Sequence, residues 1–243
     1  MERIAAYCGT RDIYGDILTS AKALIANSAV DTVHIFIEDD DIGEETPDII
    51  VFHNVSNQTY FQPETPNMLD DDDYMQMMYI ALCHELSEDS VLALTYNAIP
   101  QEDCTEIWDI DLEDYYFSSV PIIRRSTYNA LYCDFSVVYF NLVKLREGKA
   151  DECIEVLNHA FFPCKHQDVC NYLCQGYIHE MSSKFNTTRF TTQNRYAPPI
   201  ISFPNTAYKN WVNKGVVSKW REMSWDKVME RHNALVEQYA EVE

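Results

Sequence analysis

Five consecutive residues near the N-terminus, Thr10-Arg11-Asp12-Ile13-Tyr14, place a hydroxyl, a guanidinium, a carboxylate and a phenol side by side. They follow the apolar run Ile4-Ala5-Ala6-Tyr7 and precede apolar residues at 13, 17, 18, 21, 24 and 25. That order predicts a strand end feeding a helix, where free backbone N–H groups can meet an anion and Tyr14 can offer its ring to a base. The plainer alternative is a helix opened by an Asp12 N-cap, with a core tyrosine after it. A second constellation is Cys164, His166, Cys170 and Cys174. Four soft ligands could hold a structural zinc, but the spacing matches no common zinc module, and buried thiols explain the same residues. Three acidic clusters, Asp39-Asp40-Asp41, Asp70-Asp71-Asp72-Asp73 and Asp109-Ile110-Asp111, could suit a cation and equally suit a solvated face or a helix N-terminus.

The elements that must position these groups can be read from periodicity. Strands are expected at 4–7, 31–37 and 48–53, with a helix over 12–27 between the first two, which implies a right-handed parallel βαβ unit. Residues 55–73 form a long polar loop, and a Met-rich helix follows over 74–86. Further strands are expected at 90–95, 115–123, 131–139 and 200–203, a short helix or turn at 103–112, and helices at 148–162 and 166–176. Residues 217–239 suggest a C-terminal helix, so the chain reads as one domain over 1–216 with a helical extension over 217–243. Strands and helices alternate first and a mixed half follows, so the fold class is α/β with a nucleotide-binding architecture.

Composition narrows the functions. The chain has 243 residues, 47% hydrophobic and 23% charged, enough for a substantial core. Eighteen basic side chains face 39 acidic ones, a formal net charge of −21. Such a surface repels phosphate backbones and anionic headgroups, so neither nucleic acid nor a membrane surface is the expected partner. No run of 18 apolar residues can span a bilayer, and the N-terminus lacks a signal peptide's apolar stretch. A cytoplasmic setting with its 8 cysteines reduced is the expectation.

The order of segments from about residue 3 to about 212 resembles the glycogenin and lipopolysaccharide galactosyltransferase family (glycosyltransferase family 8), retaining sugar-nucleotide transferases with a GT-A fold. Thr10-Arg11-Asp12-Ile13-Tyr14 resembles that family's uridine-holding turn. Val91-Leu92-Ala93-Leu94-Thr95-Tyr96-Asn97, followed by Trp108, stands where the family has an Asp-x-Asp strand and a Leu-Trp. Tyr132-Cys133-Asp134-Phe135-Ser136 takes the place of an aromatic-Asn-x-Gly strand, and Asn141-Leu142-Val143-Lys144-Leu145-Arg146-Glu147 is the best local match in the chain. His166-Gln167-Asp168-Val169-Cys170-Asn171 resembles an Asp-Gln-Asp-x-x-Asn helix start, and Lys209-Asn210-Trp211 a Lys-Pro-Trp segment.

The resemblance implies a mixed, mostly parallel sheet flanked by helices. It implies a nucleotide-sugar donor, most simply a UDP-hexose, contacted by Thr10, Asp12, Tyr14, Thr95, Asn97 and Lys209. It places Gln167 near the anomeric carbon and Asp134 near the sugar. The family's three metal ligands fall on Thr95, Asn97 and Ser202, none a carboxylate or an imidazole, so no divalent metal and no other cofactor is expected. The same departures keep a second expectation open, a degenerate transferase retained as a binding or structural module.

Overall fold

The computed structural model describes residues 2–39, 46–68, 73–125, 130–186 and 200–202, together with 234 and 237–239. Its centre is built from apolar runs that lack the alternation of a half-exposed strand. β1 (Ile4–Cys8), β2 (Thr32–Ile37) and β4 (Ser90–Leu94) are buried almost throughout, because helices cover both faces of the sheet they form. Successive side chains of β1 feed opposite cores. Ile4, Ala6 and Cys8 join one cluster, and Ala5 and Tyr7 the other.

The main sheet has seven strands in the order β3-β2-β1-β4-β7-β6-β8, with β3 at Ile50–Asn54, β6 at Phe117–Arg125, β7 at Ala130–Asn141 and β8 at Ile178–Glu180. β3, β2, β1 and β4 run parallel; β7 is antiparallel to β4 and to β6, and β8 is parallel to β6. The expected βαβ unit is present: α1 (Tyr14–Asn27) joins the parallel pair β1 and β2. A second, two-stranded sheet pairs β5 (Ala98–Pro100) with β9 (Ile200–Ser202).

α1 packs on one face of the sheet, where Ile17, Leu24, Trp108 and Tyr7 belong to one buried cluster. The other face holds α2 (Tyr74–Glu85), α4 (Ala150–His159) and α5 (Lys165–Leu173). α2 is buried nearly all round, with Met75, Met77 and Met78 at 1%, 0% and 0% exposure. Unbranched, polarizable side chains suit a helix that must fill gaps between a sheet and two other helices.

The run 141–147 that carries the best local sequence match does structural work. Asn141 accepts the Lys144 amide at 3.0 Å and donates to the Leu112 carbonyl at 2.9 Å, opening the short α3 (Leu142–Lys144). Arg146 donates to the carbonyls of Cys83, Leu86 and Glu88, each at 2.6 Å, and so caps the C-terminal end of α2. Gly148 takes φ 109°, a left-handed conformation that ends this turn and turns the chain into α4. Among the described residues, no helix is long and apolar enough to cross a membrane. Of the proposed C-terminal helix only residues 234 and 237–239 are described; they are helical, and Tyr239 packs against Ala23 and Ile99 and accepts a hydrogen bond from Asn27 at 2.7 Å.

Candidate functional site

In a sheet ordered β3-β2-β1-β4, the connections leave in opposite directions on either side of the β1/β4 pair. A crevice opens at the C-terminal edge of such a switch point, and ligands of open α/β sheets bind there. β1 and β4 pair only as far as Ala6 and Ala93, then diverge. The buried hydroxyl of Tyr79, on α2, bridges the two diverging strand ends. It donates to the Leu94 carbonyl at 2.8 Å, lies 3.2 Å from the Cys8 carbonyl, and accepts the Cys8 amide at 3.2 Å. Burial pushes the Tyr79 phenol well above its ordinary pKa, so it stays a neutral donor.

The turn after β1 passes close over α1. A Cβ at Gly9 would stand 2.5 Å from Cδ1 of Ile17 and 2.8 Å from Cδ1 of Ile13, so only glycine fits without displacement. Arg11–Ile13 form a 3₁₀ turn and Ile13, not Asp12, is the N-cap of α1. The Asp12 carboxylate instead accepts the Thr10 hydroxyl. Tyr14 is 9% exposed with its ring 5.8 Å from Phe52, so little of its face is open to a base. Arg11 is paired with Asp39, and Glu38 accepts the Arg11 amide at 2.7 Å. Sequence reasoning passed over Glu38; its only sequence signal is an acidic residue directly after β2.

Thr95 and Asn97 lie at the end of β4, where the Thr95 hydroxyl donates to the Asn97 side-chain oxygen. The Thr95 amide donates to the Ser136 carbonyl at 3.1 Å, tying this turn to β7. β9 runs beside it, with Ser202 in register with Ala98. The three positions that the resemblance assigns to a metal therefore lie in adjoining segments. The groups present are a hydroxyl and a carboxamide bonded to each other, with a serine in the next segment. They do not fit a hard divalent cation, which is held chiefly by carboxylate oxygens. Among the described residues, no three His, Cys, Asp or Glu side chains cluster closely enough to hold a metal ion.

Asp134 and Gln167 are brought together across β7 and α5. Asp134 accepts the Ser136 amide at 2.8 Å and the Asn186 side-chain amide at 2.9 Å. Gln167 accepts the Phe135 amide at 3.0 Å and donates to the Tyr132 hydroxyl at 3.0 Å, and Tyr132 donates in turn to Asp168. Asn171 grips Cys133 from both sides, accepting its amide at 2.7 Å and donating to its carbonyl at 2.9 Å. A carboxamide held at both ends keeps one orientation, which is what a group positioned beside a reacting carbon requires.

The Cys164/His166/Cys170/Cys174 constellation does not converge. Cys164 is exposed, while Cys170 and Cys174 are buried in the core cluster with Cys153 of α4. His166 lies between the rings of Tyr79 at 5.4 Å and Phe135 at 5.5 Å, with neither ring nitrogen hydrogen-bonded, and burial pulls its pKa down to about 3. Helix periodicity put the cysteines on one face; the packing of α4 decided what that face meets. Lys209 and Trp211 lie outside the described residues, as do Asp40, Asp41, Asp70, Asp71 and Asp72. Asp109 and Asp111 are exposed at the surface. A cavity of about 520 Å³ lies at the far edge of the sheet, beside Ser90, Tyr139 and Lys144, away from the crevice.

Comparison with solved structures places this architecture. The galactosyltransferase LgtC, solved with donor and acceptor sugar analogues, superposes with a TM-score of 0.66 over 97% of this chain and 95% of its own, at 16% identity. The fold is GT-A-like. The glycosyltransferase GlyE of Streptococcus pneumoniae TIGR4 gives 0.63 over 98% of this chain and 63% of its own, at 14% identity. Mouse xyloside xylosyltransferase 1 gives 0.56 over 85% and 98%, at 10% identity. No family model and no curated protein matches the sequence. At these identities the likeness is one of fold, and chemistry must be argued from the residues.

Proposed function

We propose that the crevice at the C-terminal edge of β1 and β4 binds a nucleotide sugar, most simply a UDP-hexose, and that the protein is a glycosyltransferase-like protein of the glycogenin and lipopolysaccharide galactosyltransferase type. The observation that carries this is the placing of four sequence-distant segments at one edge: the Thr10–Asp12 turn after β1, the Thr95–Asn97 turn after the paired β4, Asp134 beside the Ser136 that bonds Thr95, and Gln167, which accepts the Phe135 amide. In this reading Thr10 and Asp12 face the nucleoside, Tyr14 packs against Phe52 and supports that turn rather than stacking on the base, and Thr95 and Asn97 offer neutral hydrogen bonds near the diphosphate. Lys209 supplies a cation to that diphosphate. Gln167, clamped between Phe135 and Tyr132, stands beside the anomeric carbon, and Asp134 accepts from a sugar hydroxyl. Transfer at such a site retains the anomeric configuration.

Binding without a divalent metal belongs to the same proposal. A diphosphate entering a chain of net charge −21 meets Asp12, Glu38 and Asp134 at this edge, so Lys209, Arg11 and backbone N–H groups must provide the compensation. The mutual hydrogen bond of Thr95 and Asn97, in place of paired carboxylates, favours a second reading, a catalytically inactive module that keeps the fold for binding or structure.

A thermal-shift titration with UDP, UDP-glucose and UDP-galactose, each with EDTA and with Mn²⁺, tests the site. Ligand at a hundredfold over Kd adds about 2.7 kcal/mol, or roughly 5–10 °C in Tm for a chain of this size. The expected result is a rise that persists in EDTA. A rise only with Mn²⁺ removes the metal-independent part, and no rise with any of the three removes the donor site. Hydrolysis of UDP-sugars without acceptor, with and without Mn²⁺, separates the transferase from the inactive module.

A further inference from the structure

Beside Gln167, on the outer face of α5, lies a cavity of about 330 Å³ that the donor site does not use. One wall is α5 itself. Asp168 and Tyr172 are four apart and share one face of α5, and Gln175 follows in the turn just past its C-terminal end, so a carboxylate, an aromatic ring and a carboxamide line the cavity. The other wall is Leu131 and Tyr132 of β7, with Phe162 from the segment ahead of α5. The cavity is built rather than incidental. The Phe162 amide donates to Asn67 at 2.8 Å, and Gln175 donates to the Leu131 carbonyl at 2.6 Å. Asn171, at its floor, is fully committed to Cys133 and so fixes the wall rather than facing a ligand.

Tyr172 is what the fold leaves unexplained. It is 71% exposed, contributes to no core cluster, and among the described residues its hydroxyl has no hydrogen-bond partner. An aromatic face kept in water at the rim of a cavity, with polar groups around it, is what recognition of an amphipathic ligand requires. The polar groups specify the ligand further. Asp168 accepts from Tyr132 and, at 2.9 Å, from the Cys164 amide, and a carboxylate has room for about four such bonds. Gln175 donates through its nitrogen and keeps its oxygen as an acceptor. Among the described residues the lining is rich in acceptors and holds no cation, so it suits a ligand that presents hydroxyl donors and repels one that carries negative charge. A pyranose ring has an apolar C–H face for an aromatic side chain and a rim of hydroxyls for carboxylate and carboxamide oxygens.

We propose that this cavity is a subsite for a neutral pyranoside, the glycan that accepts the transferred sugar, with Tyr172 stacking on its apolar face and Asp168 and Gln175 accepting from its hydroxyls. The placement as an acceptor subsite rests on the glycosyltransferase reading; the binding of a neutral sugar does not. Continuity with the donor side comes through one relay. Tyr132 accepts from Gln167 and donates to Asp168, so a sugar held by Asp168 is two side chains from the residue assigned to the anomeric carbon. A cationic ligand is the competing occupant of an aromatic and carboxylate site. Tetramethylammonium is the probe that separates it from a neutral sugar.

Saturation-transfer NMR on the full chain tests this with methyl β-D-glucopyranoside, methyl β-D-galactopyranoside, maltose, glucuronate and tetramethylammonium, without nucleotide. The expected result is binding of at least one neutral glycoside with Kd of about 10 mM or tighter, no signal from glucuronate, and at least a tenfold loss in Tyr172→Ala. Gln175→Ala, which keeps the aromatic ring, should weaken binding less. Three results overturn the proposal: no neutral glycoside binds, Tyr172→Ala binds as well as the parent, or tetramethylammonium competes for the cavity. Thermal shift with UDP-glucose on the same Tyr172→Ala protein keeps the two readings apart. Loss of the nucleotide response in the parent with sugar binding intact removes the transferase reading and leaves the sugar subsite.

Discussion

Tyr79→Phe isolates the hydroxyl that joins β1 to β4. Tyr79 is 5% exposed, so its ring stays in the core and only the oxygen is lost. A hydroxyl has one proton, and the shorter contact, 2.8 Å to the Leu94 carbonyl, takes it in preference to the Cys8 carbonyl at 3.2 Å. The oxygen also accepts the Cys8 amide at 3.2 Å. Phenylalanine therefore strands one buried donor and one buried acceptor, at about 1–3 kcal/mol each. The Cys8 contact is the longer and its loss the smaller, so the sum is about 2–4 kcal/mol. For a chain of this length that lowers Tm by roughly 5–15 °C. Urea unfolding followed by far-UV circular dichroism, fitted for the midpoint at unchanged m, measures it. Tyr177→Phe, at a residue 55% exposed, serves as the control and should shift stability by no more than about 0.5 kcal/mol. A loss in Tyr79→Phe as small as the control's would refute the view that this hydroxyl holds the crevice together. The same variant should weaken any UDP-glucose thermal shift, since both strand ends that frame the donor site are released.

Three further outcomes are expected. His166 has its pKa pulled to about 3 by burial, below its ordinary 6.5, so the unfolded chain takes up its proton first and stability falls as pH drops through that window. Its share is on the order of 3 kcal/mol between pH 7 and pH 4, with His34 and His53, also lowered by burial, acting in the same direction. His166→Phe, which keeps a ring against Tyr79 and Phe135, should flatten that acid limb in urea titrations, and an unchanged limb would contradict the assignment. Of the 8 cysteines only Cys164 is exposed, so one thiol should react rapidly with an aromatic disulfide reagent in the native state and all 8 in urea; Cys164→Ser should remove the rapid phase. Asn171→Leu frees both the amide and the carbonyl of Cys133, and should cost about 2–4 kcal/mol by chemical denaturation while loosening Gln167 on the neighbouring turn of α5.

Local pattern made most of the elements legible. β1, β2, β4, α1, α2, α4 and α5 fall within a few residues of the ranges read from periodicity, because each is long enough for its apolar spacing to show. β5 and β8 were not legible. Each has three residues, and a strand that short exists only because β9 and β6 supply its hydrogen bonds. The same limit applies to Asp12. Its type and place suggested an N-cap, but the 3₁₀ turn at Arg11–Ile13 moved the helix start past it and left its carboxylate to Thr10.

The candidate site divides along the same line. Gln167 and Asp134 could be named from the order of motifs, and so could the replacement of carboxylates by Thr95 and Asn97. What the sequence could not state is who holds them. The Phe135–Gln167–Tyr132–Asp168 relay, the Tyr79 hydroxyl between Cys8 and Leu94, and the Arg146 cap on α2 each join residues far apart in the chain. Spacing along a helix or strand is a local property, so composition and periodicity determined the fold class and the candidates. Hydrogen-bond partners and the neighbours of a buried ring depend on which elements pack together, so only the tertiary structure decided that His166 faces two aromatic rings and that Tyr172 faces an open cavity.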